Sequence, residues 1–175
     1  MRRLILRING AVQGVGFRPF IYRTAKKLNL KGYVLNDTNG VVIEADGSPE
    51  ELDAFLLIIN KDRPPLAHIF SQEISYGMPA GFIDFSIKES KGIGRRDVLI
   101  IPDIATCDQC RHELLDPGDR RYLYPFINCT NCGPRFTIIE RLPYDRANTT
   151  MKNFTMCTEC RIEYDDPSNR RFHAQ

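Results

Sequence analysis

Nine residues near the N-terminus combine types that can hold an anion: Gly10-Ala11-Val12-Gln13-Gly14-Val15-Gly16-Phe17-Arg18. Gly14 and Gly16 reach positive φ without a Cβ penalty. Successive amides of residues 13–18 can then point into one concavity, a nest that suits phosphate oxygens. A helix leaving the loop adds unpaired N–H groups and the positive end of its dipole. Arg18 adds a planar fork of permanent charge. Gln13, Gly14, Val15, Gly16, Phe17 and Arg18 are therefore the expected phosphate cradle.

The second group is six cysteines, all in the second half: Cys107, Cys110, Cys129, Cys132, Cys157 and Cys160. Cys107-x2-Cys110 and Cys129-x2-Cys132 are separated by eighteen residues. Two such knuckles bring four thiolates together tetrahedrally, as Zn²⁺ prefers, with redox or iron use of the thiols as the alternative. Gly133 suits the tight turn after the last of them. The pattern then begins again. Cys107-Asp-Gln-Cys110 returns as Cys157-Thr-Glu-Cys160, 50 residues on. Arg111, Glu113, Asp116-Pro117 and Arg120-Arg121-Tyr122 return in register as Arg161, Glu163, Asp166-Pro167 and Arg170-Arg171-Phe172. Two copies of one unit are expected. The second should show its next cysteine pair near positions 179 and 182, past Gln175, so it reads as truncated; His173 is the alternative third ligand. The paired arginines read as a solvated face or a contact with further domains, and His68 and His112 as structural.

Elements of ordinary type must position these groups. Residues 4–8 alternate as a strand entering the glycine loop. Phe17, Phe20, Ile21, Thr24, Ala25 and Leu28 recur at helical spacing, with Pro19 in the first turn and an end near Asn29. Residues 32–37 and 41–45 form a hairpin about Thr38-Asn39-Gly40. Ser48-Pro49-Glu50-Glu51 is a capping box that starts a helix with an apolar stripe at Leu52, Phe55, Leu56 and Ile59. Pro64-Pro65 stops it, and residues 67–76 and 82–87 are two further strands. The order β-α-β-β-α-β, with an extra terminal strand, predicts an α+β fold: a ferredoxin-like sandwich with two helices on one face of an antiparallel sheet. The expected division is 1–90 for this domain, 91–106 for a linker, 107–156 for the first zinc unit and 157–175 for the second.

Bulk properties exclude several classes. The 175 residues are 42% hydrophobic, too apolar for disorder. Net charge is +2, with 11 Lys/Arg against 10 Asp/Glu over residues 1–90 and 13 against 12 beyond. No polyanion-binding surface follows from charge alone. Few aromatics read as exposed in the knuckles, so nucleic acid is not an expected partner. Arg7 interrupts the apolar run Leu4-Ile5-Leu6 too early for a signal peptide. No stretch spans a membrane, and a cytoplasmic location is expected, where cysteines serve metals more often than disulfides.

With these residues in view, residues 1–90 resemble the acylphosphatases, whose signature is a Gly-Xaa-Val-Gln-Gly-Val-Xaa-Phe-Arg loop followed by an Asn on the next strand. Here the loop is Gly10 to Arg18 and the Asn is Asn36 in Gly32-Tyr33-Val34-Leu35-Asn36. That domain followed by paired Cys-x2-Cys units is similar to the N-terminal part of the HypF family, carbamoyltransferases that mature [NiFe]-hydrogenases. The resemblance implies an acyl-phosphate substrate, carbamoyl phosphate, bound by the loop amides and Arg18, with Asn36 holding the attacking water. It implies that further domains, absent here, pass the carbamoyl group to a HypE-like acceptor. A zinc module without catalysis, binding nucleic acid or protein, is the competing expectation.

Overall fold

The computed structural model describes residues 1–90 and 99–174. The expected linker core Lys91–Arg96 lies outside the described residues. Strand β1 (Arg2–Ala11) enters the glycine loop and helix α1 (Phe17–Lys27) leaves it. Then come β2 (Lys31–Asp37), β3 (Gly40–Gly47), helix α2 (Pro49–Lys61), β4 (His68–Gly77) and the short β5 (Phe85–Ile87). The sheet order is β4-β1-β3-β2-β5, antiparallel except for the β2–β5 pair. This is the expected βαββαβ sandwich.

Period-two alternation sends Leu4, Leu6 and Ile8 of β1 into the core beneath the helices, each no more than 2% exposed. They pack with Ile21 and Ala25 of α1 and with Leu52, Phe55 and Ile59 of α2. Each large side chain buried there contributes about 1.5–3 kcal/mol of transfer free energy. The capping box forms as expected: Ser48 Oγ accepts from Glu51 N at 3.2 Å and Glu51 Oε2 accepts from Ser48 N at 2.8 Å. α1 ends as Asn29 turns to φ 55°. The strand expected over 82–87 shortens to Phe85–Ile87, because the buried Asp46 carboxylate takes the amides of Ala80, Gly81 and Phe82 and bends the chain there.

The second half contains little regular structure. Helices α3 (Asp108–Leu115) and α4 (Thr158–Asp165) each begin just after the first cysteine of a pair. Both run into the same turn. Asp116 Oδ1 accepts from Gly118 N at 2.8 Å, and Asp166 Oδ1 from Ser168 N at 2.8 Å. The chain then reverses at a left-handed residue, Leu123 in one copy (φ 54°) and His173 in the other (φ 52°). The sequence repeat is thus a structural repeat. One expectation is reversed. The aromatics of this half are not hidden: Tyr122, Tyr124, Phe126, Phe136 and Phe154 are all 45% exposed or more. Small loop-rich units have too little core to cover them.

The halves pack together. Ile101 and Leu66 flank Gly133, and both also lie against the sandwich core. Arg23 of α1 donates to the Pro167 carbonyl at 3.2 Å.

At the entrance to the loop, Gly10 has φ 149°, where the β1–β4 register shifts. A Cβ there would lie 2.1 Å from the His68 carbonyl oxygen. Gly10→Ala should therefore lower the free energy of unfolding by about 2–4 kcal/mol, read as an earlier urea midpoint with an unchanged m-value.

Candidate functional site

The loop folds as its glycines require. Gly14 (φ 74°) and Gly16 (φ 76°) are both left-handed, and Gly16 is the N-cap of α1. Among the described residues no side chain caps this helix, and no acidic residue lies in its first turn. The positive end of α1 is therefore left to the loop. Val15 and Phe17 point the other way and anchor the loop in the core.

Arg18, on the first turn of α1, has only 9% of its side chain exposed. Its partners come from three places. Asn36 of β2 is 1% exposed, and with its amide oxygen turned toward Arg18 it accepts from Nε at 3.1 Å and Nη2 at 3.2 Å. Asp145 accepts from Nη2 at 2.8 Å, and Ser90 Oγ from Nη1 at 3.4 Å. The structure thus joins Arg18 to Asn36. It also adds Asp145, contributed by the second half, which sequence reasoning missed. Arg18, Ser90, Arg141, Asp145, Arg146 and His173 face a cleft of about 630 Å³.

The loop itself lies under the second half. Gln13 is 1% exposed, and its Nε2 donates to the carbonyls of Asp37 and Gly40 at 2.8 and 2.9 Å. Its Oε1 accepts from Tyr144 N at 3.0 Å. The Gln13 side chain is therefore a strut between β2–β3 and the cysteine module, leaving only its backbone amide for a ligand. A Cβ on Gly14 would lie 2.6 Å from Pro134 Cβ, and one on Gly16 3.2 Å from Thr130 Cβ.

Cys107, Cys110, Cys129 and Cys132 converge, with all four sulfurs within 4.8 Å of one another. Cys107 Sγ is 3.7 Å and Cys132 Sγ 3.8 Å from Cys129 Sγ. Four sulfurs about 2.3 Å from a tetrahedral ion are about 3.8 Å apart, so the donor set fits a metal site of four thiolates. Hydrogen bonds from the Cys110 and Cys129 thiols hold the Cys132 thiol well below its ordinary pKa.

Cys157 and Cys160 are not joined by His173: among the described residues the first four cysteines form the one group of three or more ligand atoms. Cys157 and Cys160 line a separate pocket, while His173 faces the Arg18 cleft. His173 occupies the position of Leu123 in the other copy, and its ring stacks on Tyr164 at 4.9 Å and on Phe172 at 4.1 Å. Burial, reinforced by the positive charge of Arg18, lowers its pKa to about 4.

The paired arginines are not simply a solvated face, although Arg120 keeps 38% of its side chain exposed. Arg121 and Arg171 have 11% and 12% of their side chains exposed, each paired with a glutamate of the other copy. The matched Glu113 and Glu163 in the repeat were the available signal.

Two outcomes follow. Gly14→Ala should destabilise the protein by about 1–3 kcal/mol in urea, since both its φ and the Pro134 contact oppose a side chain. His173 is neutral in the folded state with a lowered pKa, so the unfolded chain binds the extra proton. Stability should fall as pH drops from about 6.5 to about 4, by at most about 1.4 kcal/mol per pH unit for this group. His173→Phe should remove that part of the slope in denaturation curves taken across the window.

Comparison with known proteins agrees with this two-part architecture. Residues 4–87 match the acylphosphatase family model, and residues 106–139 and 156–175 match the HypF finger. An acylphosphatase of Thermotoga petrophila is 44% identical over 89 residues, half of this chain and 98% of that protein. The carbamoyltransferase HypF of Rhizobium leguminosarum bv. viciae is 54% identical over 151 residues, 86% of this chain and 20% of that protein. A crystal structure of full-length HypF in a phosphate- and nucleotide-bound form superposes with a TM-score of 0.93 at 49% identity, over 99% of this chain and 23% of that one. The chain spans about a fifth of the length of these HypF relatives. With an acylphosphatase domain and HypF fingers matched in order, the chain belongs to the HypF family, as its N-terminal acylphosphatase and finger region.

Proposed function

We propose that this region hydrolyses an acyl phosphate, carbamoyl phosphate, to carbamate and inorganic phosphate in the cytoplasm. In the longer protein the carbamate supplies the carbamoylation of a HypE-like acceptor, toward the cyanide ligands of [NiFe]-hydrogenase. The observation that carries this is the buried pairing of Arg18 with Asn36 beside an uncapped, glycine-built helix N-terminus.

An acyl phosphate is a reactive mixed anhydride, so the site needs neither a covalent nucleophile nor a catalytic metal. It must hold the phosphate, balance developing charge and place a water. The backbone amides of Gln13, Gly14, Val15, Gly16, Phe17 and Arg18, with the Arg18 guanidinium, hold the phosphate. Asn36, its oxygen engaged by Arg18, has its amide NH2 for the attacking water. Orientation is its contribution, not basicity. Zn²⁺ held by Cys107, Cys110, Cys129 and Cys132 is structural: it folds the module that covers the loop. The chain divides at 1–90, 91–106, 107–156 and 157–175, with Cys157 and Cys160 contributing to a second metal site.

The test is phosphate release from carbamoyl phosphate by this chain. Arg18→Ala should lower kcat/KM about 10²–10³-fold, as expected for removing a charged donor to the transition state. Asn36→Ala should lower kcat with little change in KM, because it places water rather than substrate. Full activity in both variants would overturn the assignment.

A further inference from the structure

The two cysteine units exchange arginines. Arg170, from the second copy, donates from Nη1 to Cys110 Sγ of the first at 3.0 Å and pairs with Glu113. Arg171 pairs with the same Glu113 and approaches Cys110 Sγ at 3.9 Å. The reverse set has the same form. Arg120, from the first copy, donates from Nη1 to Cys160 Sγ of the second at 3.4 Å and to Cys157 Sγ at 3.8 Å. Arg120 and Arg121 both pair with Glu163. The molecule makes this arrangement twice, from residues 50 positions apart. The first set is also fixed through the backbone: Thr130 N and Oγ1, inside the second knuckle, both donate to the Arg170 carbonyl at 2.9 Å.

Four thiolates around a divalent ion carry a net charge of about −2, and Cys110 is fully buried. Such a charge needs compensation in a low-dielectric setting. Among the described residues, Cys107 N donates to Cys132 Sγ at 3.3 Å, a neutral amide. Arg170 supplies a full positive charge at Cys110.

We propose that Arg170 is a positioning residue for the first metal site: supplied by the opposite copy, it orients the Cys110 thiolate and neutralises part of the site's charge. Arg120 does the same for Cys157 and Cys160. A metal site complete in its four ligands within residues 107–132 therefore depends, for its affinity, on a residue nearly forty positions further on.

The test is made on the whole chain loaded with Co²⁺ and, separately, Zn²⁺. A hydrogen bond stabilises the lone pairs of a thiolate, so more energy is needed to move an electron from sulfur to cobalt. Arg170→Ala should shift the sulfur-to-cobalt charge-transfer band to lower energy and weaken Zn²⁺ binding about tenfold or more in competition with a chromophoric chelator. Arg171→Ala, which loses the Glu113 pair but only the 3.9 Å sulfur contact, should leave the band in place. Arg170→Lys, which keeps the charge, should recover most of the affinity. If Arg170→Ala does not fold, the lysine variant decides: affinity as weak as in a Glu113→Ala control overturns the proposal, and affinity near that of the parent supports it. An unmoved band with affinity within twofold of the parent in folded Arg170→Ala also overturns it, as does an equal band shift in Arg171→Ala.

Discussion

A buried guanidinium has to be paired, and Arg18 is where this molecule meets that requirement. Its charge cannot be left without partners at 9% exposure, since breaking such a pair costs about 3–5 kcal/mol. The partners arrive from β2, from the segment after β5 and from the cysteine module. One side chain therefore sets the register of three parts of the chain. The same group is the one the proposed chemistry needs, so folding and phosphate binding draw on one charge. Asp145 plays two parts in this. It neutralises Arg18, and it places a negative charge at the edge of the cleft through which an anion would approach.

Most of the first domain was legible because its signals are local. Alternation over residues 4–8, the Asn39-Gly40 hairpin and the Ser48–Glu51 box each fit within a few residues, and each has one structural outcome. The glycine loop was legible for the same reason. What could not be read were contacts between distant residues. Asp145 and Arg18 are 127 positions apart, and Gln13 and Tyr144 131, and no periodicity links them. The spacing marked Arg18 as part of the expected phosphate cradle and carried no sign that Asp145 would pair with it. The shortening of β5 had a similar cause: a single buried carboxylate, Asp46, outweighed a favourable alternation. A histidine after a cysteine pair resembles a ligand in composition, which is why His173 stood as the alternative to truncation; its ring lies against Tyr164 and Phe172. Its equivalent in the other copy, Leu123, is not one. The repeat contained that information, and comparing the copies position by position would have used it.

The cysteine module is a roof on the loop as well as a metal-binding unit. Gly14 faces Pro134 and Tyr144, Gly16 faces Thr130, and Gly133 faces Leu66 and Ile101. Glycine at 14 and 16 therefore satisfies two demands at once, a left-handed backbone and a close-fitting neighbour. A free-standing acylphosphatase domain would face only the first demand. A metal at the four-cysteine site would add folding energy to this thin module, and would so couple the shape of the loop's surroundings to its occupancy.

The exchange of arginines between the copies has a geometric meaning. Each copy presents the same patch, a glutamate and a cysteine pair on its short helix and two arginines on the turn that follows. Patch meets patch, with residue i of one touching residue j of the other and the converse. That is the rule of an isologous interface about a twofold axis. The finger region thus follows the rule of a symmetric dimer within one polypeptide, and the acylphosphatase domain touches both copies, at Thr130 and Tyr144 of the first and at Pro167 of the second. A change at Glu113 or Glu163 therefore removes two of the four ion pairs that hold the copies together among the described residues.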